Sequence, residues 1–322
     1  FGRSRNLTRE ETLERLPTIE TRGLRGGVIY YDGQFDDARL AINMAQTAAD
    51  LGGTLLNYVR VTGLSKSEGM VTGVRARERR GGEDLELRAK VVVNATGAFT
   101  DGIRQMDDPE AKPIIRPSQG VHLVLDKSFL PGDSAIMVPH TDDGRVLFAI
   151  PWYDRVVVGT TDTPIEKAHL EPRPLEEEIE FLLAHTARYL TKDPSREDIL
   201  SAFAGIRPLV ASESENETAA ISRDHSLLIS GSGLVTIAGG KWTTYRKMAK
   251  DAVRTAQNLG DLDDVGCPTK ELRIHGYHLN AERFGRLSVY GSDAPEIEEL
   301  MESGPGMADP VHERLELTPA EI

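Results

Sequence analysis

The sequence predicts an α/β protein that also contains an α+β section, and three stretches carry that prediction. A strand, two glycines and a helix follow one another over Leu234–Gly260. An apolar run, Val91–Val93, ends in a series of small residues. Between these two stretches, residues 120–159 contain alternating or apolar strand patterns separated by turns. Strand–glycine–helix units are typical of parallel sheets, whereas closely spaced strands are typical of antiparallel ones.

Size and charge narrow the class of protein. The 322 residues suffice for one large or two ordinary domains, and the net charge of −13 argues against nucleic acid as a partner. The single cysteine, Cys267, excludes an internal disulfide bond and a metal site built from several cysteines. No apolar run approaches the length of a membrane-spanning helix.

The first hundred residues predict short strands around one amphipathic helix. Thr8–Glu11 forms a capping box, which predicts a short helix as far as Leu16. A strand is predicted at Gly26–Tyr31, and Asp36 is placed to cap the helix that ends near Leu51. Further strands are predicted at Thr54–Leu56, Val59–Leu64, Val71–Arg77 and Leu85–Val93.

The run Val91–Val93 predicts a strand that is buried on both faces. It leads into Asn94–Asp101, and small residues at the carboxyl end of such a strand are where α/β sheets admit ligands. An ordinary strand-to-helix turn explains the same residues.

The middle of the chain predicts strands, one helix and several candidate site residues. His122 lies within a predicted strand, where a lone histidine is usually structural. Gly159–Asp162 closes another strand with small polar residues. Leu175–Leu190 predicts an amphipathic helix. A strand is predicted at Asp198–Phe203, and after it Arg207 is held in an extended conformation because Pro208 follows it.

The stretch Ala238–Lys247 is the most informative in the chain. Its glycine pair, Gly239 and Gly240, would let a ligand approach the backbone, and the helix N-terminus would offer free N–H groups to an anion. Lys241 adds a positive charge, and Thr243 and Thr244 add hydroxyls at capping positions. A glycine-rich turn before a capped helix is the simpler explanation. If His122, Arg207, Arg223 and Lys241 converge, they would form a site for a dianion; taken singly, each is explained by solvation.

These motifs, in this order, resemble the FAD-dependent glycerol-3-phosphate dehydrogenases of the glycine/D-amino-acid-oxidase-like flavoproteins. The resemblance runs from about Gly27 to about Gly306 and rests on Tyr31-Asp32, Asp36–Leu40, Val93–Gly97, Gly120–His122, Ile150–Trp152, Gly159–Asp162, Gly205–Leu209, Ser222–Asp224, Gly239–Lys247 and Tyr290–Ser292. It implies the two-domain fold of those flavoproteins, an FAD domain interleaved with a mixed-sheet substrate domain over residues 1–265. Residues 266–322, including helices predicted at Ala281–Tyr290 and Ala294–Met301, would begin a C-terminal helical domain.

The resemblance implies oxidation of sn-glycerol 3-phosphate to dihydroxyacetone phosphate, with hydride transfer to FAD and electrons passed to a quinone. Arg207 would be a catalytic residue near both the substrate phosphate and the reactive end, and Arg223 and Lys241 would complete the anion site. His122 would face the substrate as the general base, and Thr161 and Asp162 would line the pocket. The residues implied at the cofactor are Val61, Ala95, Thr96, Gly97, Gly239, Gly240, Lys241, Thr243 and Thr244. A cytoplasmic protein at the inner face of the cytoplasmic membrane is implied by the quinone acceptor, and a homo-oligomer stays open.

One departure from the family pattern bears on the cofactor. The sequence has no Gly-x-Gly-x-x-Gly motif between a strand and a helix, which is the motif that binds the FAD pyrophosphate. We therefore expect a fragment that lacks this unit and most of the helical domain, that binds FAD weakly or not at all, and that is inactive as it stands.

Two other functions and one other origin remain open. An amino-acid or amine oxidase of the same flavoprotein group needs one arginine for a carboxylate but not the set of Arg207, Arg223 and Lys241. A non-catalytic binding module that has lost its nucleotide half accounts for the missing glycine motif but has no need of His122. A truncated gene model of an ordinary enzyme explains both ends of the chain.

Overall fold

The computed structural model describes residues 2–138, 141, 144, 146–211, 225–313 and 315–322. The chain divides into two compact units, Phe1–Asp32 with Arg60–Asp264 and Gly33–Val59 with Val265–Ile322. The predicted domain boundary between residues 265 and 266 stays a prediction.

The regular elements alternate between short strands and helices along the chain. In chain order they are β1 (Arg5–Leu7), α1 (Arg9–Arg15), β2 (Gly27–Ile29), α2 (Asp37–Asp50), β3 (Val59–Ser67), β4 (Met70–Glu78), β5 (Asp84–Arg88), β6 (Val93–Asn94), α3 (Thr100–Asp107), β7 (Ile115–Asp126), β8 (Ile136–Val138), β9 (Leu147–Trp152), β10 (Arg155–Gly159), β11 (Thr163–Pro164), α4 (Glu176–Ala187), β12 (Ser201–Val210), β13 (His225–Ile229), β14 (Val235–Gly239), α5 (Tyr245–Leu259) and α6 (Ala294–Glu302).

The main sheet of the first unit is antiparallel and is built around β7. Strands β10 and β11 pair with β7, as does β12, and the sheet continues from β10 through β9 to β8. Alternate residues of these strands are buried against α4, and they form the main core with Leu182 and Leu183 of that helix. The other face of the sheet carries aliphatic side chains such as Val124 and Val157 beside polar and aromatic ones such as Arg207 and Phe203, as expected for an antiparallel sheet with one face on the core.

A second, three-stranded sheet has the order β13-β14-β6, in which β6 runs parallel to β14. Strand β12 of the main sheet also contacts β14 and the 3-10 turn Gly97–Phe99. The remaining sheets are β3-β4-β5 and the pair β1-β2. The mixed architecture of the prediction is confirmed: parallel strands followed by helices lie beside an antiparallel sheet.

Two strand predictions are wrong. Thr54–Leu56 forms no strand. The predicted strand Leu85–Val93 is two strands, β5 and β6, and Val93 is 41% exposed instead of buried. Among the described residues, β6 has only β14 as a neighbour, so an apolar run at this position lies on a sheet edge.

Two other elements differ in length or type. Strand β12 continues to Val210 and pairs with β7 over its whole length, so Arg207 lies within a strand instead of after one. The helix predicted at Leu175–Leu190 is confirmed as α4 but ends at Ala187, and polar residues, among them Glu178, share its buried face with Leu182 and Leu183. The predicted helix at Ala281–Tyr290 is a 3-10 segment, Ala281–Asp293, interrupted at Gly285 and Gly291, where φ is 56° and 57°.

The second unit packs a small core of its own. Asp36 caps α2, as predicted, by accepting a hydrogen bond from the Arg39 N–H at 2.8 Å. The core residues are Leu287, Ala294, Ile297 and Ala320.

In the part of the chain that the structure describes, none of the helices is long and apolar enough to cross a bilayer.

Candidate functional site

The candidate site lies on the face of the main sheet opposite the core. Strand register places Phe148, Gly159, His122 and Phe203 directly opposite one another across β9, β10, β7 and β12. Residues that face each other across antiparallel strands project from the same side of a sheet. These four residues therefore form one row on the open face.

The orientation of the His122 ring is fixed by its neighbours in this row. Its ring stacks on the Phe203 ring at 5.1 Å between centroids and an interplanar angle of 14°. On its other side, a Cβ added at Gly159 would come within 2.2 Å of the His122 ring. The absence of a side chain at Gly159 thus makes room for the imidazole, and Phe203 orients it.

Arg207 lies on the same open face, opposite Ser118 of β7. Its guanidinium donates to the Thr160 hydroxyl at 3.1 Å and to Asp162 Oδ1 at 3.4 Å. Gly120 leaves space for the group, since a Cβ there would lie 2.5 Å from an Arg207 terminal nitrogen. His122 and Arg207 are four register positions apart, which corresponds to about 13 Å along the strands.

Asp162 is itself tied to the sheet. It accepts a hydrogen bond from the hydroxyl of Ser118, a residue with no exposed surface. The Arg207 and Asp162 side chains are 36% and 24% exposed. The guanidinium is thus oriented by two partners while part of it stays open to a ligand, which suits an anion that accepts several hydrogen bonds.

Thr161 points the opposite way from its neighbours, into the core. Its hydroxyl accepts the Val121 N–H at 3.0 Å and donates to Glu178 Oε1 at 2.9 Å. Burial raises the pKa of Glu178, but hydrogen bonds from Thr163, the Leu175 N–H, Gln119 and Thr161 outweigh it and hold this pKa below its usual value. A residue predicted to line the pocket is instead part of a buried network beneath it.

Two strand ends lie side by side in the sheet of β6 and β14. The register Val235↔Val93 and Thr236↔Asn94 brings the turn after β6 next to the turn after β14. In the first turn, the buried Asn94 amide donates to the Thr100 carbonyl at 3.0 Å, and Asn94 Oδ1 accepts the Thr96 hydroxyl at 2.7 Å. This arrangement fixes the turn while Ala95 and Thr96 stay exposed.

The glycines of both turns adopt left-handed backbone conformations. The φ angles are +58° at Gly97 and +74° at both Gly239 and Gly240. No atom lies within 4 Å of where a Gly97 Cβ would stand, so the backbone there is open to a ligand. A Cβ at Gly240 would meet Met248 Sδ at 2.5 Å. Both turns thus require glycine, one for φ alone and the other also for packing.

Lys241, Thr243 and Thr244 form the entry to α5. The Thr244 hydroxyl accepts the Lys241 N–H at 3.2 Å and donates to the Lys241 carbonyl at 2.9 Å, and it does not cap α5 itself. Thr243 is exposed, and the Lys241 side chain is exposed and makes no ion pair with any described residue. The Tyr245 N–H, the first of α5, donates to the Trp242 carbonyl of the 3-10 turn that precedes the helix, so the exposed Lys241 side chain is the group that this segment presents to an anion.

A cluster of ionisable side chains, His225, Lys247 and Asp251, lies next to the glycine pair. His225, opposite Gly239 in β13, lies 2.9 Å from Asp251 of α5, and Lys247 also pairs with Asp251. The hydrogen bond from Lys247, followed by that from His225, holds the pKa of Asp251 below its usual value against the opposing effect of burial.

The structure unites some of the predicted residues and leaves others apart. His122, Arg207 and Asp162 share one face, and Ala95–Gly97 follow the strand that pairs with the one ending at Gly239. Arg223 lies outside the described residues. Among the described residues, Lys241 makes no hydrogen bond or ion pair with His122 or Arg207. Val61 lines a separate cleft of about 510 Å³ that also contains Arg60, Arg77 and Arg79.

Several residues at the site escaped the sequence analysis. Phe203 stacks on His122, and Glu178 and Gln119 hold the loop from its core side. Thr160 contacts Arg207 and lay within the predicted stretch Gly159–Asp162 without being named as a site residue. Phe203 carries a signal in its spacing, since it lies four residues before Arg207 on the same strand face. Glu178 carries no such signal in the sequence, because it belongs to a run of three glutamates whose other members, Glu176 and Glu177, are exposed.

Comparison with known proteins gives a consistent family assignment. Residues 1–246 match the family model described as FAD dependent oxidoreductase. The chain is 44% identical over 318 residues to the mitochondrial glycerol-3-phosphate dehydrogenase of Homo sapiens, covering 91% of this chain and 44% of that protein. It is 44% identical over 280 residues to the mitochondrial glycerol-3-phosphate dehydrogenase SDP6 of Arabidopsis thaliana, covering 85% and 44%. The chain thus spans less than half the length of these relatives.

Solved structures share the fold. The glycerol-3-phosphate dehydrogenase of Bacillus halodurans, complexed with FAD, superimposes with a TM-score of 0.82 at 30% identity, covering 94% of this chain and 63% of that one. The glycine oxidase of Geobacillus kaustophilus has a TM-score of 0.58 at 19% identity, covering 82% and 64%. The second likeness concerns the fold alone.

Proposed function

The chain belongs to the FAD-dependent oxidoreductase family, and on that premise we propose that it forms the substrate face and part of the cofactor site of an enzyme that oxidises sn-glycerol 3-phosphate to dihydroxyacetone phosphate. The observation that carries the proposal is the placement of Arg207. Its guanidinium is oriented by Thr160 and Asp162 on the same open face as His122. An anion-binding group and a proton acceptor on one surface suit a phosphorylated alcohol.

Each residue has a distinct task in this proposal. Arg207 binds the substrate phosphate, and Asp162 orients Arg207 while lining the pocket. His122 accepts the proton of the hydroxyl that is oxidised, its ring being held by Phe203 and by the gap at Gly159. Arg223 and Lys241 are proposed to complete the anion site, although the geometry of the described residues does not bring Lys241 to Arg207.

The residues present fit part of an FAD site. The turns at Ala95–Gly97 and Gly239–Gly240 follow neighbouring strands, and the exposed side chains of Lys241, Thr243 and Thr244 come directly before α5. These residues would hold phosphate or ring edges of the cofactor, and the Val61 backbone would lie near its adenine. When bound, FAD supplies the two-electron acceptor for the oxidation.

The chain by itself is expected to hold FAD weakly, because it carries no Gly-x-Gly-x-x-Gly motif. A quinone as the final electron acceptor, association with the surface of a membrane on its cytoplasmic side and self-association are part of the proposal. The resemblance to quinone-linked glycerol-3-phosphate dehydrogenases supports these points, whereas the names of the two relatives above state only a mitochondrial origin.

Substrate profiling of the full-length protein with added FAD and a quinone analogue tests the proposal. We expect turnover of glycerol 3-phosphate and none of glycine or D-alanine. Turnover of an amino acid but not of glycerol 3-phosphate would favour an amino-acid oxidase. Absence of turnover and of binding for all three would favour a non-catalytic module.

A further inference from the structure

The loop Thr160–Asp162 lies between the open face of the main sheet and its core. Its three side chains alternate in direction, as in an extended chain. Thr160 and Asp162 accept hydrogen bonds from Arg207, whereas Thr161 donates to Glu178 on the opposite side. Whatever fixes Thr161 therefore also fixes the two acceptors that orient Arg207.

Glu178 is unusual for a side chain in the core. It is only 3% exposed, and no Lys or Arg among the described residues forms an ion pair with it. Instead, each of its oxygens accepts two hydrogen bonds. Oε1 accepts the hydroxyls of Thr161 at 2.9 Å and Thr163 at 2.7 Å, and Oε2 accepts the Gln119 amide at 2.8 Å and the Leu175 N–H at 3.0 Å.

A helix cap accounts for only part of this arrangement. The bond from Leu175 closes the first turn of α4, as a glutamate at that position commonly does. The other three donors come from β7, from the loop that follows β10 and from β11. A buried carboxylate without a counter-ion is costly to keep in a core unless its hydrogen bonds fulfil a requirement. Here they lock the loop to the strand that carries His122.

We infer that Glu178 is a positioning residue for the anion site: by holding Thr161, it sets the placement of Thr160 and Asp162 and thereby the direction of the Arg207 guanidinium. The inference rests on the proposed function for the identity of the anion. The positioning of Arg207 by these contacts does not depend on which anion binds, because the chain of contacts ends at Arg207.

The test uses Glu178→Gln and Thr161→Val in the full-length protein with added FAD. Both variants keep side-chain size. Glu178→Gln replaces one of the two accepting oxygens by an NH2 group, so either Thr161 and Thr163 or Gln119 and the Leu175 N–H lose their acceptor. Thr161→Val removes the donor to Glu178 and also the acceptor of the Val121 N–H. Thr163→Val is the matched control, because it removes a donor to the same carboxylate oxygen without touching Thr161. We expect KM for glycerol 3-phosphate to rise about tenfold in the first two variants with kcat within about threefold, and KM to stay within about twofold in the control.

A double-variant experiment separates positioning from general structural damage. If Glu178 acts through Arg207, then Glu178→Gln added to Arg207→Lys should change KM by less than about twofold, since the guanidinium that it positions is gone. An undiminished tenfold effect in that background would overturn the inference. If Glu178→Gln does not fold, Thr161→Val in both backgrounds gives the same decision.

Binding of inorganic phosphate, measured by calorimetry, separates this inference from the proposed function. Weaker phosphate binding in Glu178→Gln and Thr161→Val, without turnover of glycerol 3-phosphate by the unaltered protein, would overturn the proposed function and support the inference. Turnover of glycerol 3-phosphate by the unaltered protein, with KM unchanged in both variants, would support the proposed function and overturn the inference. An unaltered protein that binds neither phosphate nor glycerol 3-phosphate would overturn both.

Discussion

Side chains form the surroundings of Arg207, whereas backbone forms the surface of the paired glycine turns. Around Arg207, side chains contact side chains: Ser118, Thr160 and Asp162 orient the guanidinium, and Glu178 holds their loop. At Gly97 and Gly239–Gly240, the backbone itself forms the surface, and its shape depends on the lack of a Cβ. Substitutions that change polarity should therefore disable the first region, and substitutions that add volume should disable the second.

Replacing Arg207 should produce the largest effect. In Arg207→Lys, one ammonium cannot make the paired contacts of a guanidinium, so we expect kcat/KM for glycerol 3-phosphate to fall about 100-fold. Steady-state kinetics measure this fall, and flavin content should stay unchanged. Arg155→Lys serves as the control, because Arg155 pairs with Asp154 and lies opposite Asp126, eight positions along β7 from Ser118, the residue opposite Arg207. An equal fall in the control would contradict the assignment of Arg207.

Gly240→Ala should have the next largest effect, on stability and flavin retention. The alanine would adopt a φ of +74° and would place its Cβ 2.5 Å from Met248 Sδ, so we expect a loss of about 2–3 kcal/mol in the free energy of unfolding. Chemical denaturation measures the loss.

Gly97→Ala is the matched comparison for Gly240→Ala. It carries the cost of a positive φ without a steric clash, so we expect about 1 kcal/mol. If the two variants are equally destabilised, packing beneath Gly240 is not what requires glycine there.

Acid should weaken the Arg207 region through Glu178. Because the pKa of Glu178 is lowered in the folded state, its carboxylate contributes stability above its unfolded pKa, near 4.5, and that stability is lost as pH falls through the lowered folded value. The unaltered protein should therefore lose more stability below pH 4.5 than Glu178→Gln does. Thermal unfolding across this range measures the difference, and parallel curves would refute the contribution of Glu178.

The smallest effect is expected at Phe203. Phe203→Leu removes the stack on His122, which is worth about 1 kcal/mol, so kcat should fall several-fold. Phe203→Tyr keeps the ring and should retain nearly full activity. A leucine variant as active as the tyrosine variant would show that the stack does not orient His122.

The same contrast explains what the sequence could and could not predict. The glycine turns are local features, so the pattern of strand, glycine and helix at Leu234–Gly260 predicted β14 and α5 directly. His122, Arg207 and Asp162 were identified as candidates one by one. Their union depends on pairing between β7 and β12, whose partners lie 77 to 95 residues apart in the chain, and no local pattern encodes that register.

The missed residues have a similar cause. Phe203 matters because it lies opposite His122, and Glu178 matters because the core brings it to Thr161. The mistaken strand prediction at Val91–Val93 also concerns tertiary context, because an apolar run gives no information on how many neighbours its strand has.

The anaerobic visible spectrum of the FAD-loaded full-length protein tests the central claim most directly. The protein is incubated with FAD, desalted to remove unbound cofactor and then mixed with glycerol 3-phosphate or, separately, with glycine. We expect the absorbance of bound oxidised flavin to be bleached by glycerol 3-phosphate alone. Bound flavin that glycerol 3-phosphate leaves unchanged would contradict the claim that the Arg207 and His122 face serves its oxidation.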